Sequence, residues 1–233
     1  KRLSKRHGAA GVNEYESMGY QPDALLNYLA LLGWNPGTEE EIFDLSSLIK
    51  NFDISRVQKK SATYDQKKFN WISLQHLMKE DSIKVLERLA IIDPEWGESK
   101  SQDYLIKVID LMKPRSNSLI DLINQSRYFF SSPKEFDSIQ IQKIWKQDTA
   151  EKIIELKNVL DSMNSWTANG LESNFKSFAY HRGIGIGKVM QPMRFLICGS
   201  LEGPSLFDLM ELIGKEVSIN RINYAINQFK VDE

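Results

Sequence analysis

Cysteine is almost missing from this chain of 233 residues: Cys198 is the only one, so no disulfide can close within it. That single thiol and the three histidines leave too few ligands for a structural zinc site. No apolar run approaches the ~20 residues that a membrane-spanning helix needs, and the first residues lack the apolar stretch of a signal peptide. An excess of either charge is missing too. Net charge is −1, so any contact with nucleic acid must come from local basic clusters on one face. No repeat of fixed period and no low-complexity segment interrupts the chain. What remains is ordinary for a globular protein, 42% hydrophobic and 26% charged, with length for one large or two small domains.

The first feature that is present is a basic arm, Arg2-Leu3-Ser4-Lys5-Arg6-His7-Gly8. Lys5 can meet a phosphate as a compact point charge, and Arg2 and Arg6 can each fork two oxygens, while Ser4 adds a neutral donor. On charge pattern alone the arm reads equally as a solvated tail.

Periodicity predicts a mainly helical protein. Pro22 suits a first helical position, Leu25, Tyr28, Leu29 and Leu32 follow at helical spacing, and Gly33 suits the residue after the end. Asp44 is placed to cap a helix over 45–52. Residues 61–70 and 71–79 read as separate short segments. A helix over 86–92 is stopped at Asp93-Pro94. Further helices are expected over 102–112, 119–130 and 148–163, the last with Ile153, Leu156, Val159, Leu160 and Met163 on one stripe. Thr167 is placed to cap a helix carrying Leu171 and Phe175. Residues 188–198 follow, with Pro192 starting or kinking the helix, then 205–213 closed by Gly214, then a last helix capped by Ser218. This pattern fits helical bundles. Trp34, Trp71, Trp145 and Trp166 read as core or boundary residues, and Cys198 as an inert buried thiol. A second basic stretch interleaves Arg56, Lys59, Lys60, Lys67 and Lys68 with Tyr64, Phe69 and Trp71. Lysines there could hold phosphates without reading sequence, or simply form a solvated face.

The arm with Ala9 resembles the second ATP-binding signature of class I aminoacyl-tRNA synthetases in its glutamyl form. The run from Gly19 to Trp34 is similar to the segment that follows it in that family. So are Gly187-Lys188-Val189-Met190-Gln191-Pro192-Met193-Arg194, Gly199, Gly203-Pro204 and Leu212-Ile213-Gly214-Lys215-Glu216 near the other end. Their order resembles bacterial-type glutamyl-tRNA synthetase from that signature to its last helix. Between about residues 80 and 180 the likeness is loose.

The resemblance implies a mainly α protein: an ATP-signature loop at 1–14, a stem-contact domain at 15–80, and a two-part helical anticodon-binding domain at 81–165 and 166–233, with the upstream Rossmann catalytic half absent from this chain. It implies that Lys5, Ser4, Arg6 and Arg2 bind ATP, and that Lys59, Lys60, Lys67 and Lys68 touch the tRNA stem. Arg194, facing the second and third anticodon bases, would contact the anticodon together with Pro204, Leu206 and Arg115, the last at the wobble base; by its chemistry Leu206 can cover a base face. The full-length enzyme would use ATP and Mg2+ to attach L-glutamate to tRNA(Glu) through glutamyl-adenylate. This portion would be inactive alone, bind no cofactor tightly, touch no membrane and be a monomer. The expected compartment is the bacterial cytoplasm or, failing that, an organelle matrix. Two other readings stand beside this: a non-catalytic helical RNA-binding or scaffold protein, and a relaxed enzyme that also charges tRNA(Gln).

Overall fold

The protein, seen in a computed structural model, is described over residues 11–59 and 62–229. Among these residues the ordered elements are helices, and extended pairing is limited to an isolated bridge between Trp34 and Val57. The mainly α expectation holds. No helix among the described residues is long and apolar enough to cross a membrane. The chain forms two compact units that part between Gln125 and Ser126.

The first unit contains α1 (Val12–Ser17), α2 (Pro22–Gly33), α3 (Leu45–Asn51), α4 (Gln66–Lys79), α5 (Ser82–Ile92), α6 (Gln102–Met112) and α7 (Leu119–Gln125). Pro22 opens α2 as expected, since its missing N–H is one of those a helix start leaves unpaired anyway. Gly33 is the last residue of α2 rather than the one after it. Asp44 caps α3 by accepting from the Ser47 N–H at 2.7 Å.

Residues 66–79 form one helix, not the two segments expected. Asp65 accepts from the N–H groups of Lys67 and Lys68, so a polar first turn is nucleated where no apolar stripe announces it. A similar cap at Asp81 starts α5 four residues before the expected 86. The helix expected over 119–130 ends at Gln125, and a 3-10 turn at Arg127–Phe129 follows.

One cluster in the core of this unit is aromatic. Phe69 packs against Tyr15 and Tyr28 at ring separations of 5.2 Å, edge to face with Tyr15 and tilted with Tyr28, with Leu25 and Ile72 around them. Gly19, with φ of +74°, lets the chain turn against α7: its carbonyl accepts from Leu119 N at 3.1 Å, and a Cβ there would lie 3.0 Å from Leu119.

A buried amide joins three segments. Asn27 is fully buried; its Nδ2 donates to Glu41 O at 3.0 Å, and its Oδ1 accepts from Phe43 N at 2.9 Å. His76 Nε2 lies 2.9 Å from the same oxygen. That oxygen can only accept, so neutral His76 carries its proton on Nε2. Burial lowers the His76 pKa from its ordinary value of 6.5; Lys79 acts in the same direction, while Asp23 and Asp44 oppose both. The folded state thus prefers neutral imidazole. The stabilisation is complete above the unfolded pKa and declines as pH falls below it, because the unfolded chain takes up the proton more readily. Denaturant midpoints measured at about pH 7.5 and about pH 5.5 should therefore fall with acid, and less so in His76→Gln, whose amide can still donate to Asn27. An equal fall in both would contradict this assignment.

The second unit contains α8 (Ser138–Ile144), α9 (Gln147–Asp161), α10 (Ala168–His181), α11 (Gly187–Cys198), α12 (Leu206–Ile213) and α13 (Lys215–Gln228). Thr167 caps α10 as expected, accepting from Gly170 N. The last helix starts at Lys215, not at Ser218. Ser218 is inside it, fully buried, with its hydroxyl donating to Gly214 O at 2.8 Å. Pro192 sits within α11 rather than starting it.

Leu156, Leu160, Leu171, Phe175, Val189, Met193, Leu209 and Ile222 are fully buried between these helices. Phe175 meets Phe207 edge to face at 5.1 Å, and Trp145 and Phe136 both stack edge-on against Phe229. Trp166 donates its indole N–H to Met210 O at 2.7 Å, a boundary position as expected. Trp71 of the first unit is 40% exposed, so it is a surface residue beside the fully buried Phe69.

Cys198 is buried, as expected, and burial raises its thiol pKa to about 12. The folded protein should therefore resist thiol-specific alkylation at about pH 8, with labelling appearing only on denaturation. Rapid labelling of the native protein would contradict the placement.

Candidate nucleic-acid interface

Arg194 is on α11, in the turn before the helix ends. From Gly199 the chain loops back and begins α12 at Leu206, where the Ser205 hydroxyl accepts from Asp208 N. This return places Gly203 directly against the arginine. A Cβ on Gly203 would lie 2.9 Å from Arg194 Nη1 and 3.3 Å from the Tyr128 hydroxyl. The missing side chain lets backbone, guanidinium and phenol meet this closely without either side chain having to shift.

Nη1 of Arg194 is buried and has no hydrogen-bond partner, and Arg194 makes no ion pair among the described residues. A guanidinium nitrogen carries two N–H groups and cannot shed its charge. Leaving such a donor buried and unpaired costs about 1–3 kcal/mol or more. Arg194 as a whole is partly exposed, so side-chain atoms other than Nη1 reach the surface, and a planar fork suits the paired acceptors on a base edge.

Pro204 and Leu206 belong to the same corner, but both are buried. Leu206 is fully so, packed in the core at the start of α12. Its expected role over a base face does not fit this burial. The phenol of Tyr128 is the residue here that sequence reasoning missed. It was expected at the end of a long helix; the 3-10 turn at Arg127–Phe129 delivers it to Gly203. No local pattern in the sequence signals that meeting.

The remaining predicted residues that the structure describes belong to the first unit. Arg115 is exposed at a 3-10 turn in the first unit, whose neighbour Lys113 is buried with its ammonium donating to Glu80 O. Lys68 pairs with Glu41 and also sits 4.6 Å over the Trp71 ring. Lys59 and Lys67 face solvent. Arg2, Ser4, Lys5, Arg6 and Lys60 lie outside the described residues.

Residues 74–226 match the anticodon binding domain family, and residues 1–71 match the catalytic domain of class I tRNA synthetases for E and Q. The chain is 36% identical over 213 residues to the glutamate–tRNA ligase of Flavobacterium johnsoniae, covering 91% of this chain and 42% of that protein. It is 34% identical to the enzyme of Chloroherpeton thalassium, covering all of this chain and 48% of that one. A crystal structure of a glutamate tRNA ligase from Elizabethkingia meningosepticum superposes with a TM-score of 0.83 at 35% identity, covering 95% of this chain and 43% of that chain. The chain therefore spans under half the length of the relatives it matches. With the anticodon binding domain model matching well over half of its residues, the chain belongs to the anticodon binding domain family, and its relatives at 34–36% identity are glutamate–tRNA ligases.

Proposed function

We propose that this chain is the tRNA-holding portion of a glutamate–tRNA ligase. The whole enzyme would attach L-glutamate to tRNA(Glu) at the expense of ATP, with Mg2+ beside the phosphates, in the cytoplasm of a bacterium. Arg2, Ser4, Lys5 and Arg6 are the residues proposed to face ATP. Residues 15–80 would meet the stem through Lys59, Lys60 and Lys67, with Lys68 already engaged by Glu41 and Trp71. Residues 81–233 would hold the anticodon arm, with Arg115 at the wobble base.

The observation that carries this reading is the unpaired buried Nη1 of Arg194, held against the backbone of Gly203. A splayed single-stranded base presents its edge to such a group, and the bases of an anticodon loop are free to splay. Pro204, in the loop beside Gly203, is also proposed to border the anticodon pocket. The test is affinity for tRNA carrying a glutamate anticodon against the same tRNA with its third anticodon base changed. Tighter binding of the unaltered tRNA is expected. Equal affinity would overturn the anticodon assignment and leave a non-specific RNA-binding helical protein.

A further inference from the structure

Four lysines of the second unit line one depression of about 240 Å³. Lys143 and Lys146 come from the end of α8 and the turn before α9, Lys152 from α9, and Lys188 from the first turn of α11. Gln191 and Pro192 complete its α11 side. The one carboxylate in the lining, Asp148, is already held by Lys152 at 2.6 Å and by the Thr149 hydroxyl. Lys143, Lys146 and Lys188 are exposed and make no ion pair among the described residues. In a chain of net charge −1 this is a concentrated positive patch, and its cations come from two stretches of sequence, 143–152 and 188.

We propose that this depression holds a backbone phosphate of a single RNA strand whose neighbouring base reaches Arg194. The inference deepens the tRNA-binding reading and rests on it. Lysine suits the task because its ammonium is a compact, mobile charge that grips phosphate from many angles without demanding a particular base. The placement suits it as well. Gln191 lies in the depression and Arg194 is three residues further on, so the two are neighbours on one face of α11. Lys188 precedes Arg194 by six residues, about 9 Å along the helix axis. One strand can span that between a base and the phosphate of a nearby nucleotide. The lysines then supply affinity and register, and Arg194 supplies choice.

The test uses the full chain and measures anisotropy of labelled tRNA(Glu) over a range of salt, with the third-base variant in parallel. The triple variant K143Q/K146Q/K188Q changes only exposed side chains, and circular dichroism checks that it folds. Expected are a loss of affinity of about tenfold or more at low salt, and a slope of log affinity against log salt shallower by about 0.7 to 0.9, the share of one phosphate. The ratio between native and third-base-altered tRNA should stay as in the parent chain. A triple variant with parental affinity and slope would overturn the proposal, and so would a loss of the ratio with the slope unchanged. If the parent chain shows no third-base preference, the anticodon reading fails by itself. The phosphate site is then judged by the salt slope on a polyuridylate strand, where an unchanged slope overturns it.

Discussion

Arg221→Ala is expected to destabilise the second unit by about 3–5 kcal/mol, which is a large part of the stability of a small domain. Arg221 is only 4% exposed on α13. Nη1 donates to Ile197 O at 2.9 Å and Nη2 to Ser131 O at 3.1 Å. Ile197 is in the last turn of α11, whose terminal carbonyls have no partner within the helix and carry the negative end of its dipole. The guanidinium thus satisfies a helix end and ties α13 to both α11 and the segment ahead of α8. Truncation strands both carbonyls and opens a cavity where the side chain was. Arg221→Lys should recover only part of the loss, since a single ammonium cannot fork to two carbonyls as the planar group does. Urea denaturation followed by tryptophan fluorescence reads the change. A loss under about 1 kcal/mol would mean that the two carbonyls find other partners.

Arg221 also shows where sequence reasoning stops. Its partners are 24 and 90 positions away, and nothing in the local pattern of α13 separates a buried arginine from a solvated one. Helices with a clear stripe were legible: α6 runs over 102–112 as its apolar spacing predicts, and the structure adds a cap at Ser101. Where a side-chain cap rather than a stripe starts the helix, the boundary was misplaced. Asp65 opens α4 on a polar turn, and Asp81 opens α5 early. The short α8 was not anticipated at all; it has no fully buried face to impose a period and is set by its Asp137 cap. The site divides in the same way. Arg194 could be singled out through the resemblance, because residues 187–194 carry it in one run. The return of Gly203 onto its guanidinium, the arrival of Tyr128 and the burial of Leu206 are tertiary events. So is the four-lysine depression, assembled from α8, α9 and α11.

Arg194→Ala is expected to weaken binding of tRNA(Glu) by about 10- to 100-fold and to abolish the third-base preference, the magnitude of one good guanidinium contact to a base edge. Arg194→Lys should restore part of the affinity, through its charge, and little of the preference, because a point charge lacks the planar pair of donors. Affinity alone would not separate contact with RNA from general damage, so the stability of the variant decides. In the free protein Nη1 is buried without a partner, a cost that truncation removes. Thermal unfolding of Arg194→Ala should therefore be unchanged or move upward while binding falls. Arg221→Ala, on the same unit, should do the reverse: lose stability, while the fraction that remains folded keeps its third-base preference. A group that satisfies its own protein lowers stability when removed, whereas a group kept in waiting for a ligand does not. If Arg194→Ala loses stability as Arg221→Ala does and retains third-base discrimination, the guanidinium serves the fold and the anticodon is read elsewhere.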